Sequence, residues 1–527
     1  MHSLKGLIPT ILDLIPLAIL LYILKFYYDY FTRSIPYPGP FPLPIIGNLH
    51  QYFYHRNDMS SWHRQLSSRY GGIFELYFGS NKYLMISDAR IVERILNTAK
   101  NNNYFVCIET EKGLDKLQKG NNGLLFNADL KSWAFIKKVF VKTIASPNAI
   151  KTAIKFVGNV FQDLEIIWDN LIDNQGQFLN DEQKKFVDID FIPWSKNIFA
   201  ECITLLIASR QFNLLSTHYN RISNINPDDQ KNSYEEFLDR LIIVSDCVQY
   251  YTTIPSFIRN LPIINLYTNY LYKNLLWTRN YASNLVKKRR EEIERIENKE
   301  ELTLDFLNML LTTNASMSDE EVGDNIAEII SEGINNPSNT LSFIIYYVSN
   351  NPDIEKSVLD EIEKIFDLDS NFKVTYEDLC KLEYIDAVIK EVLRVRPVMA
   401  MISRFSDNPD QIDNYKIPAS TQLVIDVIGL HMNPKYWEEP TKFNPSRFLS
   451  SNNKNNDTFD TNKNAFMNFG GGLRMCPGKQ LAMTQLKILV VLLYSKYKIE
   501  VITKDPSTRN NINTQCNELK ISISRRM

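Results

Sequence analysis

The chain has 527 residues, 44% of them hydrophobic, enough to bury a large core and, by length alone, to fill two or three ordinary domains. A formal charge of -2 and an isoelectric point near 6.4 provide no global field for nucleic acid or strongly acidic partners. Six cysteines, Cys107, Cys202, Cys247, Cys380, Cys476 and Cys516, stand far apart without a CxxC pair, which fits neither a disulfide framework nor a zinc site.

Leu7 to Leu24 is an 18-residue, mostly apolar run (LIPTILDLIPLAILLYIL), close to the length that spans a bilayer. Pro9, Asp13 and Pro16 interrupt it, no small-residue cleavage site follows, and Lys25 and Arg33 stand beyond it. The expectation is a signal anchor over residues 1–30 with the remaining chain cytoplasmic; an interfacial helix or a signal peptide is the alternative. Residues 31–48 follow as a linker in which Pro36, Pro38, Pro40, Pro42 and Pro44 enforce an extended backbone.

From residue 49 onward the periodicity is mostly helical, with few hairpin signals. Lys287 to Glu297 (KKRREEIERIE) has opposite charges at i, i+4 and reads as a solvated helix face, not a nucleic-acid site. Ser318 with Glu321 forms a capping-box pattern that opens a long helix running to Val348, before Asn350, Asn351 and Pro352 stop it. Gly333 and Pro337 inside it predict a local distortion midway. Ser450 to Asn464 is Asn-rich and nearly devoid of apolar residues, which predicts a surface loop. The six histidines are scattered without an HxxxH pair, so one such as His431 is expected to be structural, not a metal ligand.

Near the C-terminus, FGGGLRMCPG holds Phe469, Gly472, Arg474, Cys476 and Gly478 in the spacing FxxGxRxCxG. Glycines there let the backbone wrap beneath a flat group, Phe469 can shield a sulfur, and Arg474 can pair with a carboxylate. The helical pattern KQLAMTQLKILVVLLY begins directly after Gly478 and sets the positive end of its dipole near Cys476, which favours a thiolate. This spacing is the haem-binding signature of the cytochrome P-450 family, which the chain resembles from roughly Pro36 to its end. Five fixed positions would coincide by chance only on the order of once in several thousand sequences. The resemblance implies haem with Cys476 as the axial ligand of its iron, a thiolate that pushes electron density onto the metal.

Upstream, YIDAVIKEVLRVRP places Glu391 and Arg394 at i, i+3, as in the family's ExxR motif, and Arg447 in FNPSRF matches the arginine that completes a Glu/Arg/Arg cluster. The resemblance implies that these three organise the haem pocket. Trp133 and Lys137 resemble the family's WxxxR helix, and Arg404 stands where a strand commonly supplies another arginine to the haem carboxylates. Lys137 keeps the charge of the usual arginine but not its bidentate geometry.

In the long helix the family usually carries a segment like AGxDTT, whose acid and alcohol deliver protons at the oxygen-binding side. Here EGINNPSNTL puts Asn335 at the acid position and Asn336 at the threonine position, and neither titrates near neutral pH. Three readings stay open: Asn336 donates a hydrogen bond in an ordinary monooxygenase; Glu332, one turn earlier, serves as the acid, as a carboxylate does in some haem-thiolate peroxidases; or the enzyme rearranges peroxides without O2, as isomerase and dehydratase members do. A register shift would move the question to Ser338 or Thr340.

The resemblance implies one mainly α globule over residues 49–527, a cytochrome P-450 fold with small β-sheets behind an N-terminal membrane anchor helix. It further implies a monooxygenase that receives electrons from NADPH through a flavoprotein reductase, docked near Lys137, Lys138 and Lys479. It places the protein at the membrane of the endoplasmic reticulum, single-pass. Residues from about Cys202 to Leu276 and from Val398 to Ile402 are expected to line a pocket for an apolar small-molecule substrate. A non-catalytic haem-binding protein is the alternative outside enzymology.

Overall fold

In the computed structural model the chain opens on helix α1 (Leu4–Phe31), along which Leu17, Ile19, Leu20, Leu21 and Leu24 face outward. Residues 4–526 are described except 56–57, 80, 98–101, 106–122, 126, 179–184, 224–232, 255, 298–301, 314–316, 369–371, 413, 450–462, 507 and 511–513. Most of the predicted Ser450 to Asn464 loop and Cys107 therefore lie outside the described residues.

The Pro-rich segment is tied to the globule. Arg33 pairs at 2.6 Å with Glu75, which is 1% exposed, and the Glu75 N–H donates to the Pro38 carbonyl at 2.8 Å. The ion pair draws Glu75 toward its charged form, but burial is the stronger influence and pushes its carboxyl upward.

Helix α2 (Met59–Tyr70) precedes β1 (Ile73–Phe78) and β2 (Asn81–Ile86), and α3 (Ala89–Leu96) follows them. Then come α4 (Leu130–Thr143), α5 (Pro147–Gln175), the short β3 (Gln177–Phe178) and β4 (Lys185–Asp190). The helical middle is α6 (Phe191–Ala208), α7 (Ser233–Thr253), α8 (Pro262–Glu294), α9 (Phe306–Thr313) and α10 (Asp319–Ser349). Next come α11 (Glu383–Val395), β5 (Met401–Ser406), β6 (Thr421–Asp426) and α12 (Val427–His431). The chain ends on α13 (Lys479–Lys496), β7 (Tyr497–Val501) and β8 (Lys520–Arg525).

The architecture is mainly helical with small sheets. One four-stranded sheet runs β1-β2-β6-β5, with β2 and β6 parallel; a second runs β3-β4-β8-β7, all antiparallel. The main core joins α5, α6, α10, α11 and α13. Among the described residues α6 is long and apolar enough to cross a membrane, but Trp194, Ile198, Phe199 and Ile203 bury it in that core.

Helix α10 begins as its sequence dictates: the Glu321 N–H donates to Ser318 Oγ at 3.2 Å, and Glu321 Oε2 accepts from the Ser318 N–H at 2.8 Å. The expected midway distortion is absent; the helix is continuous from Asp319 to Ser349 with Pro337 inside it. Helices α6 and α8 flank it, and at Gly333 α6 lies close, since a Cβ there would stand 2.8 Å from Ile203 Cγ1. The side chains of Asn339 and Thr340 donate to the Asn335 and Asn336 carbonyls at 2.6 and 3.0 Å, extra bonds along the turn that holds the proline.

The basic run at Lys287 also differs from expectation. Arg289 pairs with Glu292 within the helix at 3.0 Å, at i, i+3 and not i, i+4, and it also reaches Asp305 at 3.4 Å while Arg290 pairs with Asp319 at 2.9 Å, so the charges additionally tie α8 to the segments beside it.

Candidate functional site

Helix α13 starts at Lys479, three residues beyond Cys476, and the backbone N–H groups of Gly478 and Lys479 bond to the Cys476 sulfur. The loop before it is a set of tight turns: the Cys476 N–H donates to the Phe469 carbonyl at 2.9 Å, and the Gly470 N–H to the Met467 carbonyl at 3.1 Å. Gly470 and Gly472 have φ of 65° and 64°, and a Cβ on Gly472 would collide with the Leu96 carbonyl oxygen at the end of α3.

Cys476 is accessible at its surface, yet surrounding protein mass is the strongest influence on its thiol and pushes it upward. The two N–H groups and the Lys137 charge pull the other way, while the Glu332 charge adds to the rise. A metal cation on the sulfur would override this balance and hold the thiolate.

Beside the loop stand the expected basic groups. Arg474 lies over the rings of Phe105 (4.0 Å) and Trp133 (4.8 Å), and Lys137 Nζ is 4.7 Å from Trp133. Their donors serve backbone carbonyls: Arg474 reaches Phe105, Leu124 and Asn127, Trp133 Nε1 reaches Leu124 at 3.1 Å, and Lys137 reaches Leu473 at 2.6 Å. Arg404, buried on β5, donates to the Ser403 carbonyl at 2.8 Å. The donor set fits a haem: a soft sulfur at a helix N-terminus, a glycine loop that a Cβ would obstruct, and a guanidinium, ammonium and indole converging at one edge.

The Glu/Arg/Arg cluster is assembled. Glu391 and Arg394 are both 0% exposed and meet bidentately at 2.7 and 2.8 Å, and Arg447 Nε reaches Glu391 at 3.2 Å. Arg394 also donates to the carbonyls of His431 (3.0 Å), Pro440 (2.7 Å) and Lys442 (3.1 Å). His431 is fully buried with both ring nitrogens in hydrogen bonds inside the protein, a structural role as expected.

On α10 the side chains sort themselves. Asn336 Nδ2 donates to Glu332 Oε2 at 2.7 Å, and Asn336 Oδ1 is buried without a partner. Asn335 turns to Ser331 Oγ at 3.4 Å, and the Ser338 and Thr340 hydroxyls are used on carbonyls of their own helix. The charge interaction between Glu332 and Cys476 places this part of α10 within electrostatic reach of the sulfur. Of the expected pocket range, Cys202 is buried in the main core, and Val244, Cys247, Tyr251, Leu271 and Leu275 form a separate apolar cluster between α7 and α8.

Sequence reasoning passed over Glu328. Its carboxylate accepts from the N–H groups of Leu124 and Leu125, the segment whose carbonyl also receives Arg474 and Trp133. The available signal was the ladder Glu328, Glu332, Asn336 at i, i+4, i+8 on one helix face.

A family model for cytochrome P450 matches residues 37–523. Cytochrome P450 3A14 of Cavia porcellus is 26% identical over 493 residues, covering 91% of this chain and 88% of its own. Cytochrome P450 3A25 of Mus musculus is 25% identical over 512 residues, covering 94% and 91%. The crystal structure of the cytochrome P450DA heme domain superimposes with a TM-score of 0.74 at 17% identity, over 93% of this chain and 98% of that one.

Proposed function

Because the chain belongs to the cytochrome P450 family, we propose that Cys476 would supply the thiolate ligand of its haem iron and that Glu332 and Asn336 handle protons in the reaction. The protein is an oxidoreductase of the P450 monooxygenase type. The observation that carries the site reading is Cys476 itself, met by two backbone N–H groups at the start of α13 and within electrostatic reach of Glu332 on α10.

When bound, the haem supplies the activation of O2 that the side chains lack. The chain's residues do the rest. The N–H groups of Gly478 and Lys479 stabilise negative charge on sulfur, and Arg474, Lys137, Trp133 and Arg404 would hold the haem carboxylates, exchanging backbone carbonyls for them. Glu391, Arg394 and Arg447 hold the segments beneath. Glu332 carries the titratable proton that Asn335 and Asn336 cannot, and the Asn336 amide fixes its carboxylate at 2.7 Å.

The finer reading is insertion of one oxygen atom of O2 into an apolar small molecule, with electrons from NADPH through a flavoprotein reductase. The outward apolar face of α1 supports an anchor in the endoplasmic reticulum membrane, with the catalytic part cytoplasmic. Lys138 and Lys479 are exposed near the cysteine side and, with Lys137, support reductase docking there. Substrate oxidation with reductase and NADPH should collapse without O2. Equal turnover of a hydroperoxide with no electron source would establish the O2-independent alternative instead.

A further inference from the structure

We propose that His431 is a positioning residue that couples the Glu391–Arg394 cluster to the thiolate loop and thereby sets how Cys476 meets its metal; this deepens the axial-ligand reading and rests on it. His431 closes α12 and is 0% exposed. Its Nε2 lies 3.0 Å from the Met467 backbone nitrogen, and its Nδ1 lies 3.1 Å from the Arg394 carbonyl oxygen. An amide N–H only donates, so Nε2 is the bare nitrogen; a carbonyl only accepts, so Nδ1 carries the proton. The surroundings permit one tautomer.

The bonds form a continuous path. Arg394 holds Glu391 bidentately and also donates to the His431 carbonyl at 3.0 Å, so Arg394 and His431 are bonded in both directions. His431 then holds Met467, whose carbonyl receives the Gly470 N–H at 3.1 Å; two residues after Met467, the Phe469 carbonyl receives the Cys476 N–H at 2.9 Å. The imidazole also stacks on Phe466, with ring centres 5.5 Å apart and planes at 18°, fixing its orientation.

A second proton on the ring would set Nε2–H against the Met467 N–H and place a cation beside Arg394. Burial and the Arg394 charge accordingly push the imidazole down to about 3, so the link stays neutral and intact across physiological pH. Without it the Met467 N–H is buried unpaired, and the loop is free to drift relative to the cluster. The Cys476 sulfur then loses its alignment with the Gly478 and Lys479 N–H groups.

Two variants of the full-length holoenzyme separate polarity from packing. His431→Phe keeps a ring against Phe466 and deletes both bonds; His431→Gln supplies a donor and an acceptor on one amide group. Absorption of the reduced, CO-bound protein reports the ligand state, and hydrogen exchange of the Met467 amide reports the link. The expected result is a Phe variant that retains haem, shifts from the thiolate band toward that of a neutral ligand, and exchanges the Met467 amide roughly tenfold or more faster. The Gln variant should recover part of both.

A Phe variant with a wild-type band and wild-type exchange at Met467 overturns the proposal. If that variant does not fold, nitrogen NMR of the wild-type CO complex decides: an Nδ1–H imidazole supports the link, and an Nε2–H tautomer overturns it. Cys476→Ser serves as the control. Survival of the thiolate band in that variant would sink the axial-ligand reading itself, whatever His431 does.

Discussion

Replacing Arg394 with methionine removes two charge-assisted bonds to Glu391 at 2.7 and 2.8 Å and leaves that carboxylate, 0% exposed, with only Arg447 at 3.2 Å and the Asn444 N–H at 2.8 Å among the described residues. Breaking a buried ion pair by deleting one partner costs about 3–5 kcal/mol. The carbonyls of His431, Pro440 and Lys442 also lose a donor, a loss that does not add fully because all belong to one network. Arg447 is different: its side chain is 11% exposed and two of its three bonds go to carbonyls at the solvent edge, so Arg447→Met should cost only about 1–3 kcal/mol. Against a total stability of roughly 5–15 kcal/mol, Arg394→Met should leave little haem-binding protein at 37 °C, while Arg447→Met remains folded. Removing both charges in Glu391→Leu/Arg394→Met should recover part of the loss, since no carboxylate is then stranded. Urea unfolding followed by circular dichroism, with haem content measured in parallel, reads the series. An Arg394→Met protein within about 1 kcal/mol of wild type, or an equal loss in Arg447→Met, would refute the assignment of this cluster as the clamp.

Glu332→Gln keeps the size of the side chain but not its proton, so turnover should fall by about 10²-fold or more with unchanged unfolding, and consumption of NADPH should uncouple from product; full turnover would exclude Glu332 as the acid. Gly472→Ala forces a side chain into a backbone at φ 64° and against the Leu96 carbonyl, so haem content should drop with a loss of about 1–3 kcal/mol. His431 has its folded pKa depressed to about 3, so between that value and the ordinary imidazole range near 6.5 the unfolded chain holds the extra proton, and stability present at pH 7 is lost as pH falls. Going from pH 7 to pH 5 should therefore remove about 2 kcal/mol through this group, and the difference between wild type and His431→Phe should shrink accordingly in urea titrations. Glu328→Gln should speed amide exchange at Leu124 and Leu125 several-fold without altering the thiolate spectrum, because it loosens only that segment.

Local signals in the chain translated well where one residue type forces one geometry. Ser318 and Glu321 did open a long helix, and Glu391, Arg394 and Arg447 did meet. Cys476 does sit at a helix N-terminus with N–H groups on its sulfur. What the sequence hid depends on neighbours that are distant along the chain. Pro337 reads as a breaker, but α6 and α8 pack both sides of α10 and keep it continuous. The charges from Lys287 onward look self-paired, and Arg289 does meet Glu292 at 3.0 Å, but Arg289 and Arg290 also find Asp305 and Asp319 beyond the helix. A lone His431 carries no motif, and only the fold brings Met467 to its ring. Length suggests two or three domains because a large chain usually divides, while the main core cluster draws on both helices and strands from Ile136 to Ile523.

The most direct measurement is the absorption spectrum of the reduced, CO-bound protein, recorded for wild type and for Cys476→Ser. With Cys476 as axial ligand, wild type displays the red-shifted Soret band of thiolate ligation and the serine variant loses it. A wild-type spectrum without that band, or a serine variant that keeps it, would contradict the account.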